Sequence, residues 1–234
     1  MQKFVLSLVL AGTMILQAEP QNNAVFFLLY AGQVEELTDN VEGYYRRGLE
    51  YAENAEYDFA IASFTRALWL NPEFQEAFYE RANMHLNKKE YDQAITDYNQ
   101  AIRLNPKDAK AFNNRGFTYH SKEAYDQAIA DYTEALKINP NYALAWNNRG
   151  WTYISKGDYD QAIADCTESL RINPRYAEAY DSRGLAYYYK KEYDRAIADY
   201  NAALRFDPNH PDAPVRRQQA INAKESVDAL RLSV

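Results

Sequence analysis

Few residues in this chain are of the kind that make or break bonds. Its 234 residues include one cysteine, Cys166, and three histidines, His85, His120 and His210. One thiol cannot close an intramolecular disulfide or build a multi-cysteine metal site. Three scattered histidines are poor material for a metal centre, so no metal and no cofactor are predicted. The sequence has no Gly-rich phosphate loop, no G-x-S-x-G and no H-E-x-x-H. Asp and Glu number 33 against 26 Lys and Arg, a net charge of -7. That balance gives no general attraction to nucleic acid or anionic lipid, and no nucleic-acid partner is expected. The acids recur at fixed intervals. A catalytic pair should occur once, and these occur several times over, so an enzyme is not expected.

The recurring charges come in two sets. Arg stands at 47, 81, 115, 149 and 183, and the second set reads Ser63, Asp97, Asp131, Asp165 and Asp199. A planar guanidinium meets a carboxylate through two parallel hydrogen bonds, which suits a partly buried pair within each repeat. A charged binding stripe is the other reading, and the structural pair is favoured. The first repeat, with Ser63 in place of Asp, should then be the looser end.

These residues need elements to hold them. Prolines at 72, 106, 140, 174 and 208 lie 34 residues apart, as do alanines at 60, 94, 128, 162 and 196. Tyrosines at 57, 91, 125, 159 and 193 keep the same interval, which accounts for part of an excess of 21 tyrosines. A period of this length signals stacked supersecondary units. Five units follow: 41–74, 75–108, 109–142, 143–176 and 177–210. In the fourth, Trp146, Gly150, Trp151 and Tyr153 have helical spacing, and Lys156-Gly157-Asp158 breaks the run. Asp160 opens a second helix, where a carboxylate suits the positive end of the dipole, and Asn173-Pro174 stops it. Ala162, Ile163, Cys166 and Leu170 form its apolar face. Cys166 is therefore read as a core residue, and His85, at an otherwise tyrosine position, likewise. Gly48, Ala82, Gly116, Gly150 and Gly184 recur on the first helix and are expected to face the alanines of the second.

The unit resembles the tetratricopeptide repeat. The family pattern has an aromatic at position 4, here Tyr44, Phe78, Phe112, Trp146 and Tyr180. Position 24 is Phe64, Tyr98, Tyr132, Cys166 and Tyr200, and position 27 is Ala67, Ala101, Ala135, Ser169 and Ala203. The departures are His85 and Cys166. The resemblance implies an all-α, right-handed superhelical solenoid whose concave groove is lined by the first helices of the units.

The same resemblance places the variable residues in that groove. They are Asn83, Phe117 and Trp151 at position 9, and His120, Ile154 and Tyr188 at position 12. Tyr189 stands at position 13. Positions 5 and 6 supply the pairs Asn113-Asn114 and Asn147-Asn148. An amide both donates and accepts, so it suits the backbone of an extended peptide, while exposed rings suit its side chains. Solvated polar surface is the plain alternative for the amides. The dicarboxylate clamp of chaperone-binding relatives is not expected. Its positions read Tyr79, Asn83, Asn114, Leu144 and Asn148, which keeps the asparagines and lacks all three cations.

The two ends differ from the repeats. Lys3 precedes a run of thirteen uncharged residues, Phe4 to Leu16, and Ala18 follows. This is the order of a secretory signal peptide over 1–18, with cleavage before Glu19. The run is short for a membrane-spanning helix, which needs roughly 20 residues. An exported protein, periplasmic or secreted, is expected. Within 19–40, Ala24 to Gly32 is a second apolar stretch, read as a cap. A contact for dimerisation or a membrane surface is the alternative. Residues 211–234 should form one capping helix, about 215–231, with Ala220, Ala223, Val227 and Leu230 on one face. The expected function is a non-catalytic scaffold that binds a protein or extended peptide in the groove. The alternative is a structural subunit that self-assembles as a homo-oligomer.

Overall fold

The structure, a computed structural model, describes residues 40–232. The expected signal peptide and the apolar stretch 24–32 lie outside the described residues. Among the described residues eleven helices follow one another and no strand occurs. Ten form five hairpins: α1 (Val41–Glu53) with α2 (Tyr57–Leu70), α3 (Gln75–Asn87) with α4 (Tyr91–Leu104), α5 (Ala109–Ser121) with α6 (Tyr125–Ile138), α7 (Ala143–Lys156) with α8 (Tyr159–Ile172), and α9 (Ala177–Tyr189) with α10 (Tyr193–Phe206). The eleventh, α11 (Ala213–Leu232), stands alone. No helix among the described residues is long and apolar enough to cross a membrane.

The repeating sequence sets each boundary. Every second helix starts at its repeated tyrosine, with an Asp in the first turn. It ends at Asn71, Asn105, Asn139, Asn173 or Asp207, whose side-chain oxygen accepts from the backbone N–H two residues on, at 3.0–3.2 Å. That local turn explains why an Asx residue precedes each proline. Between the two helices of a hairpin, one residue adopts a left-handed backbone: Ala55, Lys89, Glu123, Gly157 or Lys191. Only the fourth hairpin uses glycine there, where φ is 81°.

Small residues let the helices close together. Ala60, Ala94, Ala128, Ala162 and Ala196 are fully buried, and so are Ala67, Ala101, Ala135, Ser169 and Ala203. The glycines of the first helices face something larger than alanine. A Cβ built on Gly116 would lie 3.0 Å from the Tyr132 ring and 3.2 Å from the Ala128 carbonyl oxygen. The small residue thus makes room for the buried ring at position 24, and the alanine contributes its backbone.

First helices of successive repeats touch one another, whereas second helices of successive repeats do not. The first helices therefore line the inner, concave side of the curve, as the resemblance implied. Two polar ladders tie the repeats together. In the first, Arg81, Arg115, Arg149 and Arg183 each grip the Asp of their own hairpin through two bonds of 2.6–2.8 Å. Each also reaches the preceding repeat, at Thr65, Asn99, Thr133 and Thr167. In the second ladder Lys88, Lys122, Lys156 and Lys190 bind Asp58, Asp92, Asp126 and Asp160 of the preceding repeat. In the first repeat Ser63 turns to its own helix and donates to the Phe59 carbonyl.

The last helix continues both ladders. Arg217 donates to Asn201 at 3.1 Å, and Lys224 pairs with Asp194. Ala213 and Ala220 are fully buried at the places that Ala179 and Ala186 fill one repeat earlier. Arg216, Arg217 and Lys224 lie on the polar side of this capping helix. The structure turns them back onto the fifth repeat, because α11 keeps the register of a sixth first helix.

Candidate functional site

The inner face was expected to carry amides and rings side by side, and the structure separates them. The amides form an internal seam. Asn83 Oδ1 accepts from the Tyr98 hydroxyl at 2.6 Å and from Asn114 Nδ2 at 3.1 Å. Asn114 Nδ2 also donates to the Tyr79 hydroxyl at 3.0 Å. Asn113 Nδ2 donates to Asn114 Oδ1 at 3.0 Å, and Asn148 Nδ2 donates to Asn113 Oδ1 at 3.1 Å. Three repeats are stitched by this chain. Asn113 and Asn147 are 2% and 7% exposed, so they do not present amides to an incoming backbone. Asn113 is covered by Asn148, which stands at position 6 of the next first helix. Asn83, Asn114 and Asn148 are half-buried, with side chains committed to the seam.

The seam changes character along the solenoid. At its end Arg216 of α11 binds Asp181 of α9, the same pair of positions as Asn148 and Asn113. Burial pushes the Asp181 carboxyl up, and Arg216 and His210 pull it back down. The Tyr79 hydroxyl is raised to about 12, mainly by burial.

The rings gather further along, in a cleft of about 660 Å³ between α7, α9 and α11. Ile154, buried against Ala162 and Ala186, lines it as its most enclosed residue. Trp151 forms one wall, with the Arg216 guanidinium 5.4 Å from its ring. Tyr188 and Tyr189 form the other, edge to face at 5.8 Å. Tyr189 stacks on Tyr159 at 5.2 Å and still leaves half its surface exposed, at 50%. Ser155, Lys156 and Gln219 add polar groups. Four of the expected residues, Trp151, Ile154, Tyr188 and Tyr189, therefore meet in one place.

Phe117 and His120 lie outside the cleft. Phe117 is 45% exposed on the third repeat. His120 is half-buried, with Nδ1 2.9 Å from Thr152 Oγ1. The Thr152 hydroxyl proton goes to the Asn148 carbonyl, so Nδ1 carries the ring proton. Burial holds the imidazole below its ordinary 6.5. Sequence reasoning missed Tyr159, Arg216 and Gln219, which complete the cleft with Leu185, the position 9 residue of the fifth repeat. Arg216 follows Asn114, Asn148 and Ser182 at the repeat interval, a signal that a sixth unit counted through residue 216 would have caught.

Nothing in the cleft arranges a nucleophile and base. The Cys166 thiol is fully buried and burial raises it far above its usual range. His85 bonds Glu90 at 2.7 Å and so serves the hairpin turn. Among the described residues no cluster of His, Cys, Asp and Glu could hold a metal ion.

Comparison with known proteins agrees with this architecture. No curated protein matches the chain in sequence. Among solved structures, that of the MamA protein superposes with a TM-score of 0.65 at 25% identity, covering 72% of this chain and 92% of its own. TTC0263, a thermophilic TPR protein of Thermus thermophilus, gives 0.62 at 25% identity, covering 77% and 98%. YrrB, described as a TPR protein with an unusual peptide-binding site, gives 0.63 at 22% identity, covering 84% and 97%. Tetratricopeptide-repeat models match residues 41–74, 109–142, 143–176 and 177–210, and a TPR-repeat model matches 82–122. With the repeats of the sequence, the stacked hairpins of the fold and these matches in agreement, the chain belongs to the tetratricopeptide-repeat family.

Proposed function

We propose that this protein is a non-catalytic scaffold that binds an extended segment of a partner protein in the aromatic cleft of its fourth and fifth repeats. One observation carries the reading. Trp151, Tyr188 and Tyr189 line an open cleft on the concave side, and Tyr189 keeps half its surface free although it is already stacked. Rigid rings of this kind give large contact area at small conformational cost, which is why they dominate binding hot spots. The cleft volume also falls in the range of ligand sites, about 300–1,000 Å³. Ser155 and Gln219 supply hydrogen bonds for a main chain, in the role first expected of Asn113 and Asn147.

The acids support a non-catalytic reading. The buried Asp97, Asp131, Asp165 and Asp199 are all committed to arginines. The exported location rests on the first eighteen residues of the sequence, and so does the choice of partner from the same compartment. Selection of a random-peptide display library on the full chain tests the binding site. Peptides that enrich on the wild type and bind Tyr189→Ala at least tenfold more weakly support it. Peptides whose binding ignores both Tyr189→Ala and Trp151→Ala would place recognition elsewhere.

A further inference from the structure

One second helix departs from the other four. Along the outer side of α2 run Phe59, Ala62, Arg66 and Trp69, at helical spacing. The same places hold Gln93, Thr96, Gln100 and Arg103 in the second repeat and Gln161, Ala164, Glu168 and Arg171 in the fourth. Phe59 is 60% exposed and Trp69 is 69% exposed, and Leu70 beside them is also exposed. Nothing in the fold needs these rings. Phe59 leans on Tyr51 at 5.3 Å, and Trp69 lies under the Arg66 guanidinium at 4.6 Å, both with a face left open. An exposed apolar stripe confined to one repeat marks a contact.

We propose that residues 24–32 of this same chain, Ala-Val-Phe-Phe-Leu-Leu-Tyr-Ala-Gly, dock on that stripe. Three facts select this occupant. The segment is uncharged and rich in large apolar residues, which matches the stripe. It is also close. The described chain starts at Asn40, which caps α1, and Val41 and Tyr44 pack against the Ala67–Leu68 end of α2. Trp69 is therefore near the point where the upstream chain arrives. Seven residues separate Gly32 from Asn40, and the eight steps between them, at about 3.3 Å each, span about 26 Å. The stripe from Phe59 to Trp69 is about 15 Å long at 1.5 Å per residue, so the reach suffices. Charge is the third fact. The linker carries Glu35, Glu36 and Asp39, and the stripe carries Arg66 beside its open ring. A tethered segment acts at an effective concentration near millimolar, which a second copy at micromolar concentration does not match.

Disulfide trapping tests this on the full chain. Trp69→Cys is combined with Leu28→Cys in a Cys166→Ala background, and the protein is oxidised at micromolar concentration. An intrachain disulfide in most molecules is the expected result, with little or none when Gln161→Cys, the equivalent of Phe59 on the fourth repeat, replaces Trp69→Cys. A disulfide between chains would overturn the proposal in favour of a second copy, and no disulfide with Leu28 would overturn it outright. A second measurement avoids the cysteines. Phe59→Glu with Trp69→Glu alters only exposed residues, so the repeats should melt as in the wild type. Chymotrypsin should then cut after Phe26 or Phe27 at least tenfold faster. An unchanged rate of cutting would sink the idea.

Discussion

Arg115 and Asp131 meet through two parallel bonds, Nε to Oδ2 at 2.7 Å and Nη2 to Oδ1 at 2.6 Å. The remaining Arg115 nitrogen, Nη1, reaches back to Asn99 at 2.6 Å. One side chain therefore closes its own hairpin and clips it to the one before. Asp131 is buried, and burial pushes its carboxyl up while Arg115 pulls it down. Asp131→Ala should cost about 3–5 kcal/mol, because it strands a largely buried guanidinium. Chemical denaturation of the two proteins checks this, and equal midpoints would show that the pair is solvated.

The end of the amide seam gives a sharper test. Asp181 is 4% exposed and is gripped by Arg216. Arg216→Ala should cost about 3–5 kcal/mol by leaving that carboxylate buried without its cation. Adding Asp181→Asn should recover most of the loss, since Asn113 and Asn147 occupy the same position in earlier repeats. A double-mutant cycle on thermal unfolding measures the coupling. A double variant no more stable than Arg216→Ala alone would mean that α11 is held by other contacts.

How much of this was legible in the sequence depends on whether a residue's neighbour could be counted. The Arg–Asp pairs were, because both partners recur inside one unit. The number and span of the repeats were legible for the same reason. The amide seam was not. Position 5 looks like groove from within a single repeat, and Asn113 becomes buried only because Asn148 of the next repeat leans over it. The cleft was half legible. Trp151, Tyr188 and Tyr189 lie on first helices, where the groove was sought, but Tyr159 opens a second helix, and Arg216 and Gln219 come from a helix whose Pro214 and Gln218, at places otherwise aromatic and small, hid its register.

The small residue that recurs on the first helices, glycine in four of the five, makes a prediction about size. Gly116 faces the Tyr132 ring, and its equivalent in the second repeat, Ala82, shares a core cluster with Tyr98, both fully buried. One methyl group is therefore tolerated. Gly116→Ala should shift stability by no more than about 1 kcal/mol, the helix-propensity gain offsetting a small displacement of the ring. Gly116→Leu should cost about 1–3 kcal/mol or more through overpacking. Denaturation midpoints that fall equally for both variants would contradict this.

The imidazole of His120 carries a pH dependence with a definite sign. Its folded pKa lies below 6.5 because it is buried, so the unfolded chain binds the proton more tightly. The stabilisation is complete above pH 6.5 and declines as pH falls through 6.5 towards the lower folded value. Melting temperature of the wild type should therefore drop between pH 7 and pH 5 by more than that of His120→Gln, which cannot titrate. Parallel curves for the two proteins would show that His120 is solvated in the folded state.

Tyr189 decides the fate of the binding proposal. Its ring is half exposed, stacked on Tyr159 and set edge to face against Tyr188. Truncating it removes contacts on one side only, so Tyr189→Ala should cost the fold about 0.5–1.5 kcal/mol, the worth of an aromatic pair. A central interface anchor is worth about 2 kcal/mol or more when truncated. The loss in binding should therefore exceed the loss in stability. Trp151 gives the complementary case. It is half-buried and lies under Arg216, so Trp151→Ala should damage both properties. Calorimetric melting, alongside titration with a peptide selected on the wild type, separates the two effects. Tyr189→Ala that binds as the wild type does would empty the cleft of its proposed role, whatever Trp151→Ala does.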